Sequence, residues 1–233
     1  MLTLDDDNFA DVADELYALG DASRVADAIA RIGREAVGCD TAAVSIVTSG
    51  QRLQPAAGTS REAFRAVELQ SALGEGPGRT AVRSCVPEGS DDLGAEDRWP
   101  MWSNAVAEMG LASSLAVPLH ERGRVFAVLH LYSERPGAFD AGRVSLASLL
   151  ARRSAVALAA VTRTEHLKRA VDSRTVIGQA EGILMERFGL DADTAFSVLR
   201  RYSQQGNLKL HDVAERVVRT RELPGLDLTA AAS

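Results

Sequence analysis

Apolar residues recur at spacings of three and four from the start of the chain. Phe9, Val12, Leu16 and Leu19 predict an opening helix, with Asp5, Asp6 and Asp7 at its electropositive end and Gly20 as its stop. A second helix follows, capped by Asp21, lined by Val25, Ile29, Ile32 and Val37, and ended by Gly38. The period then falls to two: Val44, Ile46 and Thr48 alternate with Ala43, Ser45 and Val47, and Ser49-Gly50 turns the chain into a strand around Leu53. Residues 60–72 are again helical, with Phe64 and Val67 inside. The glycine-rich elbow Gly74-Glu75-Gly76-Pro77-Gly78 lacks the Gly-Lys-Ser/Thr of a phosphate loop and reads as a tight turn. Trp99, Trp102, Val106 and Met109 mark another helical patch, closed by Gly110. Leu115, Val117 and Leu119 alternate in a strand, Glu121–Arg124 turns, and Val125–Tyr132 is apolar on both faces, as a central strand of a covered sheet would be. This order predicts an α/β domain, an antiparallel sheet between helical layers.

Phe139 and Val144 flank Asp140 as a hydrophobic staple flanks its N-cap, so a helix starts there. No proline interrupts the chain from Pro136 to Pro224, and small or apolar residues at 144, 147, 151, 154, 158 and 161 keep a helical stripe. Continued to about Phe188, the helix would be roughly 70 Å long, and such a rod calls for a partner helix: a parallel homodimer is expected. Three helices are expected at the end of the chain. Ile177, Ala180 and Leu184 line the first, Asp191 caps a second with Ala195, Leu199 and Tyr202, and Gly206-Asn207 leads to a third with Leu210, Val213, Ala214 and Val217. Pro224 ends it and a short frayed tail follows.

The 233 residues, 46% hydrophobic and 25% charged, fit two globular domains rather than disorder or a disulfide-built miniprotein. The start of the chain, acidic where a secretory leader is basic, and the interruption of the apolar stretch 144–162 by Arg152 and Arg153, predict a cytoplasmic protein without a membrane span. The net charge of −6 hides a gradient: residues 165–222 carry 10 basic and 9 acidic side chains. Cys39 and Cys85 have no metal or disulfide spacing and read as reduced, partly buried thiols. His120 and His130 read as hydrogen-bonded packing residues, and the acidic pairs Asp91-Asp92 and Glu96-Asp97 as solvated surface runs. Hydrolase, kinase, zinc-protease and nucleotide fingerprints are missing, so no catalytic or metal site is expected.

Residues 174–185 (RTVIGQAEGILM), 193–201 (DTAFSVLRR) and 207–214 (NLKLHDVA), in this order and at these separations, resemble the ANTAR domain, a three-helix RNA-binding module of bacterial antitermination regulators. Residues 8–160, with the Gly-Glu-Gly-Pro elbow and the strand order above, are similar to a GAF domain of the kind that precedes ANTAR in actinobacterial proteins. The implied organisation is a GAF-like sensory domain over 1–160, a connecting signalling helix over 140–172 that overlaps it, an ANTAR bundle over 165–222 and a tail over 223–233. The ANTAR resemblance implies binding, as a dimer, to paired stem-loops in a nascent transcript. By position, Arg174 and Gln179, then Arg200, Arg201 and Ser203, then Asn207 and Lys209 are the candidate RNA contacts. Glu181 stands where the family most often has lysine, and Leu208 where it often has a basic residue. The GAF resemblance implies an unknown small-molecule ligand between sheet and helices, with Phe64, Trp99, Trp102, Phe126 and His130 as pocket candidates; no cofactor is identified.

Two other readings compete. The bundle could serve mainly dimerisation or protein docking, which Glu181 and the near-neutral charge favour. The GAF part could reduce free methionine sulfoxide, as some stand-alone GAF proteins do, using Cys39 or Cys85 as a low-pKa thiolate.

Overall fold

The structure, a computed structural model, describes residues 15–222. Phe9 and Val12 of the expected opening helix, and the expected tail, lie outside the described residues; residues 15–18 are helical and Leu16 is buried. The chain divides after Arg163 into two compact units.

In the first unit, helix α1 (Ala22–Val37) starts at Asp21, whose carboxylate accepts from the Ser23 and Arg24 amides, and stops at left-handed Gly38. Strands β1 (Thr41–Thr48), β2 (Arg52–Gly58), β3 (Glu88–Ser90), β4 (Ser113–Glu121) and β5 (Arg124–Ser133) form one antiparallel sheet in the order β2-β1-β5-β4-β3. The strand with two apolar faces, β5, is the central one. Helix α1 and the first turns of a long helix cover one face through Val25, Ile29, Leu129, Leu131, Leu150 and Leu158. They pack closely: a Cβ on Gly33 would lie 3.2 Å from the Leu129 side chain. Helices α2 (Arg61–Leu73), α3 (Pro77–Ser84) and α4 (Pro100–Ala107) cover the other face, around Val67, Trp99, Trp102, Val128 and Tyr132. The fold is the expected α/β sandwich.

Two elements were not expected. The Gly74–Gly78 elbow does turn, with Gly74 and Gly76 at positive φ, but Pro77 also opens α3, because a residue without an amide hydrogen costs nothing in the first helical turn. Strand β3 has only three residues, too few for an alternating pattern to register. One surface reading also changes. Glu96 is no solvated acid: its side chain is 6% exposed and held by Arg98 at 2.7 Å, and hydrogen bonding from Arg98 lowers its pKa to about 2.

The long helix α5 (Ala141–Phe188) begins where Asp140 accepts from the Arg143 amide at 2.8 Å. By length and composition it could cross a membrane; half of its most apolar window is buried, with Ala147, Leu150, Ala151 and Leu158 in the layer that covers the sheet. In the second unit its last turns pack with α6 (Ala192–Gln205) and α7 (Leu210–Thr220) around Ala180, Leu184, Ala195, Leu199, Val213 and Val217.

Candidate functional site

The second unit is built around a braced turn. Asp191 caps α6 by accepting from the Thr194 amide at 2.7 Å. At the far end the Leu208 amide donates to the Ser203 carbonyl at 2.9 Å, and the Ser203 hydroxyl donates back to the Leu208 carbonyl at 2.7 Å. Asn207 makes the bend with φ of 48°, a left-handed conformation that asparagine tolerates. The turn therefore holds its shape without a ligand, and Lys209 starts α7 directly after it.

Around this turn Arg200, Arg201, Asn207 and Lys209 are exposed. Among the described residues none forms an ion pair with Arg174, Arg200, Arg201 or Lys209. Arg200 and Arg201 sit near the C-terminal, electronegative end of α6, where cations are favoured. Ser203 is different: its hydroxyl is already committed to the turn. The two candidates on α5 are not brought together. Arg174 and Gln179 are five residues apart, about 140° around the helix. Gln179 lines a shallow groove with Ile183, Glu186, Val218 and Arg221. Lys209, nine residues before Val218, is about 14 Å away along α7.

Two features escaped sequence reasoning, and neither is Tyr202. Tyr202 packs inward, as its place on the stripe with Ala195 and Leu199 predicts: burial raises its hydroxyl pKa, and among the described residues that hydroxyl has no hydrogen-bond partner. Of the α6 aromatics it is Phe196 that reaches solvent, 38% exposed and one turn before Arg200 on the same helical face. Its place outside the 195, 199, 202 core stripe was the available signal. A second set of cations, Arg216, Arg219 and Arg221, is exposed at the end of α7.

In the first unit the pocket candidates separate. Trp99, Trp102 and His130 are together and buried on the α2–α4 side of the sheet. The Trp102 indole donates to the Ala66 carbonyl at 2.9 Å, its amide donates to Glu75 at 2.8 Å, and the Trp99 indole donates to Thr80 at 3.1 Å. His130 lies 2.9 Å from the Ser45 hydroxyl through Nε2 and 3.4 Å from Gln70 Nε2 through Nδ1. Gln70 Oε1 accepts from the Gly78 amide at 2.8 Å, so the glutamine NH2 donates to Nδ1 and the imidazole hydrogen sits on Nε2. Burial lowers the His130 pKa to about 3, so the ring is neutral. Glycine is required at 78, since a Cβ there would lie 2.4 Å from the His130 ring.

Phe64 and Phe126 do not join this group. Phe64 is 37% exposed and lines a separate surface groove with Arg61 and Glu68. Phe126 shares the parity of His130, but the β4–β5 register shifts between Leu119 and His120, and this bulge turns Phe126 toward the α1 face. Among the described residues there is no cluster of His, Cys, Asp or Glu that could hold a metal ion. One of the two thiols expected to be partly buried differs. Cys39 is half-buried, and burial raises its pKa to about 11; Cys85 is exposed, because it is the left-handed residue that ends α3 at the surface.

Comparison with known proteins agrees with this architecture. A GAF domain model matches residues 21–159 and an ANTAR domain model matches residues 165–218. No match is found among curated proteins. Among solved structures, the GAF domain of a phosphoenolpyruvate-protein phosphotransferase from Acinetobacter is similar at a TM-score of 0.55 and 17% identity, over 70% of this chain and 97% of that one. A free methionine-R-sulfoxide reductase from Neisseria meningitidis, solved with its substrate, is similar at a TM-score of 0.52 and 18% identity, over 70% and 96%. At such identities these likenesses establish the fold alone. The chain belongs to the GAF family and carries a C-terminal ANTAR domain, the make-up of a regulator with a sensory and an output part.

Proposed function

We propose that this protein is a non-enzymatic, cytoplasmic transcription antitermination regulator that binds stem-loop RNA through its ANTAR bundle under control of its GAF domain. The observation that carries the reading is the α6–α7 turn: Arg200, Arg201 and Lys209 are exposed and without ion-pair partners among the described residues, around a bend braced by Ser203. Loop bases are unstacked and read by stacking and hydrogen bonding, while phosphates take the cations. Arg200 and Arg201 supply charge, Asn207 an amide, and Phe196 a face for a base. Gln179 and Arg174 would contact a longer RNA at the edges. Exposed Leu167 and Val171, one turn apart on α5, support a homodimer through that helix.

Filter binding to paired stem-loop RNA, followed by read-through of a terminator in vitro, tests this reading. Binding by the parent and at least tenfold weaker binding by R200A/R201A is expected, by the usual worth of charge-assisted contacts. Equal binding by both refutes it. A second reading, that the bundle mainly mediates dimerisation or protein docking, draws on Leu208, 51% exposed at the same turn, and on the acidic Glu181. Thiol catalysis by Cys39 is disfavoured, since its raised pKa opposes thiolate formation.

A further inference from the structure

Where the β1–β2 turn (Ser49–Gln51) and the β4–β5 turn approach each other, the first unit has a cleft of about 700 Å³, within the size range of small-molecule sites. The end of α3 and Arg163 of α5 complete its wall. Its floor is apolar, with buried Val82 and half-buried Val125 and Phe126. Its rim is cationic: Arg122, Arg124 and Arg163 line it against a single carboxylate, Glu121, on a chain whose net charge is −6. Arg163 is held by a hydrogen bond to that carboxylate. The cleft includes none of Trp99, Trp102 and His130.

Backbone conformation singles out the same place. Five non-glycine residues among those described have positive φ, and three of them, Gln51 at 56°, Cys85 at 60° and Arg122 at 49°, line this cleft. Helices α1 and α2 end in left-handed glycines, whereas α3 ends in Cys85. A side chain in that conformation is strained, and such outliers gather at ligand sites. Arginine forks match carboxylates and phosphates alike, and three guanidinium groups on one rim suit the higher charge of a phosphate.

We propose that this cleft binds a phosphorylated small molecule of about nucleotide size, its phosphates gripped by Arg122, Arg124 and Arg163 in competition with Glu121 and its organic body resting on Val82, Val125 and Phe126. Binding exchanges an intramolecular ion pair on α5 for a bound anion, which gives the ligand a direct hold on that helix.

Calorimetric titration of the full chain with inorganic phosphate, pyrophosphate and adenosine diphosphate, at about 50 mM salt to limit screening, tests the assignment. Adenosine diphosphate is expected to bind more tightly than pyrophosphate, and R122A/R124A to weaken it roughly tenfold. E121Q removes the competing carboxylate and is expected to tighten binding about threefold, a gain that misfolding cannot mimic. Cys85 at the rim supplies a local reading: the diphosphate is expected to slow its alkylation by iodoacetamide and leave Cys39 unchanged. The site is overturned if no probe binds, if R122A/R124A or E121Q binds like the parent, or if stem-loop RNA protects Cys85 and the small anions do not. Equal affinities for pyrophosphate and adenosine diphosphate would overturn the assigned organic body.

Discussion

The two units use arginine differently. In the GAF unit several guanidinium groups are committed inside the fold. Arg98 binds Glu96, donates to the Gly89 carbonyl at 2.5 Å and lies 4.3 Å over the Trp99 ring; Arg79 joins the Gly74 and Gln51 carbonyls; Arg143 holds the Ala138 carbonyl. In the ANTAR unit Arg169 pairs with Glu165 and Arg187 donates to the Arg221 carbonyl, but the cations around the α6–α7 turn have no such partner among the described residues. A guanidinium tied to backbone and carboxylate shapes the protein. One left in water beside a rigid turn is available to an anion from elsewhere, and it gives up less internal bonding when that anion arrives.

Substitutions can break or sharpen this contrast. The largest effect is expected in the GAF core, where Trp102→Ala should cost about 3–5 kcal/mol in denaturant unfolding, through reduced burial and a cavity. Leu199→Ala in the small ANTAR core should cost about 2–5 kcal/mol. Arginine against arginine is the direct comparison: Arg98→Ala leaves the buried Glu96 carboxylate without its donor and should cost about 1–3 kcal/mol, whereas Arg200→Ala should change stability by less than about 0.5 kcal/mol. If Arg200→Ala proves as damaging as Arg98→Ala, the distinction between the two units fails. Asp191→Ala, which removes the α6 cap, should cost about 1 kcal/mol by the same measurement.

Acid should separate the units as well. The His130 pKa is lowered from 6.5 to about 3, so below pH 6.5 the unfolded chain takes up a proton that the folded one refuses. Stability of the GAF unit should therefore fall as pH drops from 6.5 toward 3. Glu96, lowered from 4.5 to about 2, adds a loss between those values: its contribution is complete above pH 4.5 and disappears toward pH 2. Melting curves of H130Q and E96Q against pH should each lack the corresponding part.

Most of the architecture was legible because it rests on local rules. Asp21, Asp140 and Asp191 mark helix starts, and the two apolar faces of β5 mark the centre of the sheet. What escaped depends on single-residue events or on neighbours distant in sequence. A bulge beside Leu119 moves Phe126 to the other face, Pro77 is both turn and helix start, and the Ser203 hydroxyl is consumed by Leu208. The residues that the ANTAR resemblance names fall on α5, on α6 and on the turn that leads into α7. Only three-dimensional packing shows that Gln179 lies beside Val218, away from Lys209.

The central claim is that the α6–α7 turn grips RNA phosphates with uncommitted cations, and the salt dependence of stem-loop RNA binding tests it most directly. Each RNA phosphate that a variant leaves without its cation should lower the slope of log K against log salt by about 0.7–0.9. For R200A/R201A/K209A the slope should fall by roughly 2 or more relative to the parent, with affinity reduced and the fold intact. A triple variant with the parent's slope and affinity would contradict the account.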